Sequence, residues 1–430
     1  MNRYTMLLSK KGYKGLINIL IGLIPISLLL SPAFNSLLLA ITLVFTLLHH
    51  KYLIGWTTVK ESAKIRLFII ITLLYFLFHL IGLLYTENLY EGISIIRIRI
   101  GFFVVLLILV PNAKMLDFQN IMKLFLFGVL MSCLFVNINA IHQIIVSNGS
   151  LSDFFNHYIR FEYEKLMLYP IHPPYFGIYI NLGLVMAYYL RQKKVIKRRA
   201  LFYAVIMLLL VNLWLIASKM ALLIFLILAS TIVLHLLFRL LSLKAFFSMM
   251  LTLAVLMGYT LFNYNTILNK TIDLFQIENK DNIIGRFNNL NKFGDLTRRR
   301  NWESGLKAFH NNFWFGAGTG DAVDEMLKYR HEKSWIYQAK VNVHNQYIEE
   351  AVKFGVFGFL SFLICIVILG ILAFKRKWTL FFYIVIILSM STESVLNRHV
   401  GSVVLGFAIG MIVAKESNTS SVDKKIHDNF

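Results

Sequence analysis

Runs of roughly 18 or more apolar residues, separated by short polar breaks, recur along most of the chain. A helix needs about 20 such residues to cross the hydrocarbon of a bilayer, so this pattern predicts membrane-spanning helices. Twelve segments fit, near residues 15–30, 33–49, 67–85, 97–111, 122–145, 171–190, 200–217, 221–238, 245–262, 351–373, 379–392 and 400–414. One connection is far longer than packing requires. Residues 263–346 are hydrophilic, Asn-rich at first and then helical in pattern, with Trp302, Leu306, Phe309 and Phe313 at helical spacing. The expected fold is all-α and polytopic, with about 12 transmembrane helices. Its divisions are spans one to nine (1–262), the large outer loop with short helices (263–346), spans ten to twelve (347–414) and a tail (415–430). The polar residues 416–430 are expected to be disordered.

Composition strengthens this picture. Hydrophobic residues make up 58% of the 430 and charged residues only 15%, with a mean hydropathy of +0.67. Soluble domains are nearer half apolar and a quarter charged, which excludes a soluble globular enzyme. The net charge of +21 would suit a nucleic-acid binder by total alone. Its distribution argues otherwise: alternate loops carry 24 Lys and Arg against 4 in the intervening short ones. That asymmetry places both termini in the cytoplasm and the long loop outside. No nucleic-acid partner is expected. Cys133 and Cys365 each sit in an apolar run and can build neither a disulfide framework nor a zinc cluster. The first apolar run is followed by another span, so no cleavable signal is expected.

Candidate chemistry gathers in and around the outer loop. Arg298, Arg299 and Arg300 open its amphipathic helix and could bind phosphate oxygens in bidentate fashion, or simply form a solvated basic face. Cations at a helix start oppose its dipole and call for compensation. The turn Gly316-Ala-Gly318-Thr-Gly320-Asp321 leads into a short helix; without a preceding strand it reads better as a structural turn than as a phosphate cradle. His344-Asn345 stands just before span ten, where an imidazole could exchange protons near neutral pH or serve as an interfacial polar group. A zinc site from His310, His331 and His344 matches no ligand spacing. Lys219, at the outer turn Ser218-Lys219-Met220, and Arg97 and Arg99 in span four are either functional charges or snorkelling ones. Glu393 and Arg398 share the last outer turn and can pair with each other. His172-Pro173-Pro174-Tyr175 opens span six in a form suited to a helix start.

Taken in order, Ser218-Lys219, Arg298 with Trp302, Gly316–Asp321, His344-Asn345, Gly355 and Glu393 resemble the bacterial O-antigen ligase and polymerase family. The resemblance covers roughly the second half of the chain. The first half agrees only in hydropathy and in His172–Tyr175. Where this chain has Lys219 the family often has Arg, so charge is kept while the bidentate fork is lost. The resemblance implies a GT-C-like inner-membrane glycosyltransferase acting on the periplasmic face. The implied donor is a glycan on undecaprenyl diphosphate, and the acceptor a sugar hydroxyl on lipid A–core or on another glycan. Inversion without metal or other cofactor is the implied course, in contact with membrane lipid. His344 would be the base, with Lys219 and Arg298 at the diphosphate, or Arg299 or Arg300 in place of Arg298. Arg299, Arg300, His172, Tyr175, Asn345 and Glu393 would bind substrate.

One alternative within the family and two other classes compete. A polymerase of the same family, for O-antigen or exopolysaccharide, needs much the same groups. A lipid-linked glycan flippase would suit twelve spans equally, but should show two related halves and charges at mid-bilayer. A structural scaffold would tolerate loss of His344.

Overall fold

The computed structural model describes residues 10–49, 62–146, 148, 154, 172–216, 218–240 and 294–427. Predicted span 245–262 and residues 263–293 of the outer loop lie outside the described residues. So do Arg3, Lys51, Lys60, Arg160, Lys165 and Lys244 of the charge count. Among the described residues the fold is all helical, without strands.

The long helices of the first half are α1 (Lys10–Leu30), α2 (Pro32–His49), α3 (Ala63–Leu83), α4 (Leu89–Leu109), α5 (Phe118–Val146), α6 (Pro173–Gln192), α7 (Arg199–Leu215) and α8 (Lys219–Leu240). Then come α9 (Gly294–Asn311), the short α10 (Ala322–Leu327) and α11 (Trp335–Gln338), α12 (Gln346–Ala373), α13 (Lys377–Thr392) and α14 (His399–His427). Eleven of the twelve predicted segments fall on these helices. Among the described residues, seven helices can cross a membrane by length and composition: α1 to α5, α12 and α14. The helices α7 and α13 and residues Lys219–Leu234 of α8 are apolar but shorter. Nearly all of α6 is buried within the bundle.

Helix starts follow local chemistry. The Asn88 side chain accepts from Glu91 N at the start of α4, and Pro173 and Pro174 open α6 where missing donors cost nothing.

The burial pattern is inverted relative to a soluble bundle. On α3 the buried positions include Thr72, Tyr75 and His79, while Leu67, Ile70, Leu73, Leu77 and Leu80 are exposed. On α2, Asn35, Thr42 and Thr46 are buried and Leu37, Ile41, Val44 and Leu48 are exposed. Such faces are stable only in contact with lipid, because the buried threonine hydroxyls find helix carbonyls and the exposed residues named here are hydrocarbons. This is a multi-pass membrane architecture.

At its centre runs α14, packed against α4, α12 and α13. A methyl group on Gly406 would stand 3.0 Å from the Phe102 carbonyl oxygen, and Gly410 meets Leu109 one turn on. Lipid offers no hydrophobic gain from helix association, so close backbone approach through small residues substitutes for it. Contrary to the expected disorder, α14 continues to His427, with Glu416 and Ser417 buried and Glu416 paired with Lys375.

Candidate active site

One end of the bundle collects the polar groups. The break in α12 sets it up: Gly355 has φ 60° and ψ −164°, a conformation essentially confined to glycine. The carbonyls freed there are taken by the glycine turn, with Ala317 N on Val352 O at 2.8 Å and Gly318 N on Lys353 O at 3.0 Å. Val356 N returns the bond to Phe313 O at 2.7 Å. The Gly316–Gly320 turn is therefore a joint between the outer region and the bundle. Asp321 does not cap its own helix α10. Its two oxygens accept from Glu87 N and Asn88 N, both at 2.7 Å, tying the turn to the start of α4.

The break leaves a polar half-helix, Gln346 to Phe354, whose start is fixed by Asn345. The Asn345 side chain accepts from Tyr347 N at 3.0 Å and Ile348 N at 3.2 Å, so its oxygen is occupied by capping. His344 immediately precedes it with φ 50°, a left-handed conformation uncommon for a residue with a Cβ. That turn aims the imidazole across the bundle end at Glu393, with Nδ1 at 2.9 Å from Oε2. The other carboxylate oxygen, Oε1, lies 3.5 Å from Nη2 of Arg298. Glu393 is nearly buried, while His344 and Arg298 keep about a third of their side-chain surface open.

Several expectations change here. Glu393 meets His344 and Arg298, whereas Arg398, its expected partner, is an exposed residue beyond the Val395–Asn397 turn. The arginine triplet lies in the second turn of α9, since the helix begins at Gly294, and the three side chains diverge. Arg298 faces Glu393, Arg299 pairs with Glu303 at 2.8 Å, and Arg300 is exposed. The face of α9 turned to α12 is made of Asn301, Ser304, Gly305 and Ala308, with Trp302 and Phe309 partly buried. Leu306 and Phe313 of the expected apolar stripe are exposed, as are Trp314 and Phe315. Large aromatic residues are stable at a membrane interface, so a stripe that would be buried in water need not be buried here.

His172 lies within electrostatic range of Glu393, Arg398 and His344. Its ring stands 6.2 Å from that of Tyr175, which is buried against Gly401 of α14. Lys219 starts α8, whose first turn packs on α6 through Asn181 Nδ2 to Ala221 O at 3.0 Å. Lys219 thus lies at the same end as His172. Among the described residues no three His, Cys, Asp or Glu side chains converge as a metal site, and His310, His331 and His344 do not come together.

Behind the site lies a buried ionic network that the sequence hinted at only through charges in apolar helices. Arg99 pairs with Glu350 at 2.6 Å and also donates to Tyr75 and to Asn397 Oδ1 at 3.0 Å. Lys353 binds Glu349 at 2.8 Å and Asn397 at 2.9 Å, and Asn397 donates to Glu349. Gln346 accepts from Leu396 N at 2.7 Å. Together these bonds anchor the Val395–Asn397 turn that follows Glu393. Of the two arginines in α4, Arg99 is fully buried here, and Arg97 is exposed beside Ser94.

In the outer region, Arg330 is buried and bound to Ser304 and to the carbonyls of Ile336 and Val341. Burial pushes its guanidinium down to about 10, with Glu349 partly opposing. Asn301, one turn after Arg298 in chain order, is fully buried with neither amide atom hydrogen-bonded. Sequence reasoning passed over it, since Asn on a polar helix carries no signal of its own.

An imidazole whose Nδ1–H is held by a carboxylate presents Nε2 as a base, and a nearby half-open guanidinium can meet an anion. Together with the lipid-facing helices, this describes a multi-pass membrane protein with a cluster of histidine, carboxylate and arginine at one end of the bundle. Residues 202–363 match the family model described as O-antigen ligase. The matched segment contains Lys219, Arg298 and His344. No curated protein matches the chain.

Proposed function

We propose that the protein transfers a glycan from undecaprenyl diphosphate to a sugar hydroxyl at the periplasmic face of the bacterial inner membrane. The match of residues 202–363 to the O-antigen ligase family model supports glycan transfer of the ligase or polymerase kind in general. The observation that carries the finer reading is the set Arg298, Glu393 and His344, with contacts of 3.5 Å and 2.9 Å about one carboxylate. In this reading His344 Nε2 takes the proton of the acceptor hydroxyl as its oxygen bonds to the anomeric carbon. The bond from that carbon to the diphosphate breaks on the opposite face, inverting the centre. The departing diphosphate keeps the electron pair, and Arg298 and Lys219 neutralise it. Arg298 has five donors, so a loose contact with Glu393 leaves others for phosphate. Glu393 holds the imidazole in the tautomer that makes Nε2 the base. His172, Tyr175, Arg299 and Arg300 are proposed to bind substrate, while Asn345 fixes the backbone that aims His344. Neither a metal nor a cofactor enters these steps.

The acceptor we favour is lipid A–core, which makes the activity O-antigen ligation. A surface-glycolipid gel of the host lacking this gene tests it. Bare lipid A–core, with polymer accumulating on the lipid carrier, is the expected result. Core capped by a single repeat unit would reassign the protein as a polymerase, and an unchanged ladder would move it to another glycan. Purified protein in liposomes addresses the transporter class: an enzyme consumes lipid-linked donor without a gradient, whereas a flippase only moves it.

A further inference from the structure

The polar half-helix of α12 carries Gln346, Glu349, Glu350 and Lys353 at i, i+3, i+4 and i+7, so all four lie on one face. That face meets the turn formed by residues 394–397. Gln346 Oε1 accepts from Leu396 N at 2.7 Å, and Glu349 Oε2 accepts from Ser394 Oγ at 3.2 Å. Asn397 then bonds to both buried ion pairs, Arg99–Glu350 and Lys353–Glu349. Its Oδ1 accepts from Arg99 Nη2 at 3.0 Å and from Lys353 Nζ at 2.9 Å. Its Nδ2 donates to Glu349 Oε1 at 2.8 Å. An amide can accept from two cations and donate to an anion at once, whereas a carboxylate lacks the donor.

The two groups of the 2.9 Å contact between His344 and Glu393 hang from the two sides of this network. His344 stands two residues before Gln346, and Glu393 is the residue before Ser394. A slip of the half-helix past the turn would therefore part the imidazole from its carboxylate. Apolar contacts tolerate small slips. Hydrogen-bonded ion pairs do not, since each works over a narrow range of distance and angle. Stability alone does not call for such pairs, because well-packed apolar residues in their place are often neutral or better. Their best-attested use is to fix register.

The geometry points to Asn397 as a positioning residue for the transfer reaction. By joining Arg99–Glu350 and Lys353–Glu349 to one turn, it holds Glu393 where its carboxylate orients His344. This role rests on the reading of His344 as the base and Glu393 as the group that orients it. Asn397 acts through Glu393.

The experiment uses the full chain in nanodiscs, with single-turnover transfer from lipid-linked donor and thermal unfolding read in parallel. Asn397→Ala leaves each buried ion with its own partner, so the charges stay paired. Its kcat should fall roughly 10- to 100-fold, the size expected when a reacting group is displaced, with KM within about twofold. In a Glu393→Gln background the same substitution should cost less than about twofold, because the group it positions is already lost. Arg99→Met/Glu350→Leu gives a second route that does not depend on how Asn397→Ala folds. It restores packing but not register, so stability should largely return while transfer stays slow. A wild-type kcat in either variant would overturn the inference. So would an equal loss from Asn397→Ala with and without Glu393→Gln, or rates that simply track the folded fraction. A wild-type rate in Glu393→Gln itself would instead remove the assigned role of Glu393, and the positioning role with it.

Discussion

His344 and Glu393 stand 49 positions apart in the chain, yet Nδ1 and Oε2 meet at 2.9 Å. The contact joins the residue before the polar half-helix to the turn after α13, so it exists only when α12 and α13 are packed. If the carboxylate sets the tautomer of the base, Glu393→Gln should lower kcat roughly 10- to 1000-fold with little change in KM, and Glu393→Asp should recover part of it. His344→Ala should cost about 100- to 10,000-fold, as expected for loss of a positioned base. Single-turnover transfer from lipid-linked donor measures both. Wild-type rates in both variants would remove the assigned mechanism.

Arg298, Arg299 and Arg300 are chemically equivalent, and only their directions differ. Arg298→Ala should lower transfer about 100-fold or more, as removal of a transition-state cation does. Arg299→Ala should have a much smaller effect, because Arg299 is exposed and its pairing with Glu303 is worth little. Parallel kinetics of the two variants, at matched membrane expression, decide the assignment. Equal losses would show that the triplet acts as an undirected basic patch.

The Arg99–Glu350 pair is fully buried, and removing one partner strands a charge in the bundle. Arg99→Ala or Glu350→Ala should destabilise by about 3–5 kcal/mol. The double replacement Arg99→Met/Glu350→Leu should recover a large part of that loss. Thermal unfolding of purified protein in nanodiscs checks the sign and the recovery.

Gly355 breaks α12 with a backbone conformation that a Cβ opposes, and an added methyl would run into the Trp314 backbone. Gly355→Ala should cost roughly 1–3 kcal/mol from backbone strain alone, with the clash in addition. The expected outcome is poor recovery of monodisperse protein, read by size-exclusion chromatography. Gly15→Ala, with open space around the added carbon, should behave as wild type.

Asn301 is buried beside the site with an unbonded amide, which ordinarily costs about 1–3 kcal/mol. Asn301→Leu should leave stability unchanged or raise it while lowering transfer. A fall in stability together with unchanged transfer would make Asn301 purely structural.

The sequence by itself determined the helices, since each apolar run is a local property of its own residues. It also determined the candidates, because imidazole, guanidinium and carboxylate are recognisable wherever they stand. It further made the glycine turn structural, a reading the bonds to Val352, Lys353 and Thr86 bear out. Only the tertiary structure decided which candidates stand together. Glu393 could not be assigned to His344 over Arg398 without the packing of α13 on α12. Arg298 could not be separated from Arg299 without the direction of α9. The break at Gly355 places Glu349, Glu350 and Lys353 inside the bundle, which their local sequence does not show. The physical reason is the same in each case. Hydropathy acts over one turn of one helix, whereas a charge in a membrane is stable only beside partners that other helices supply.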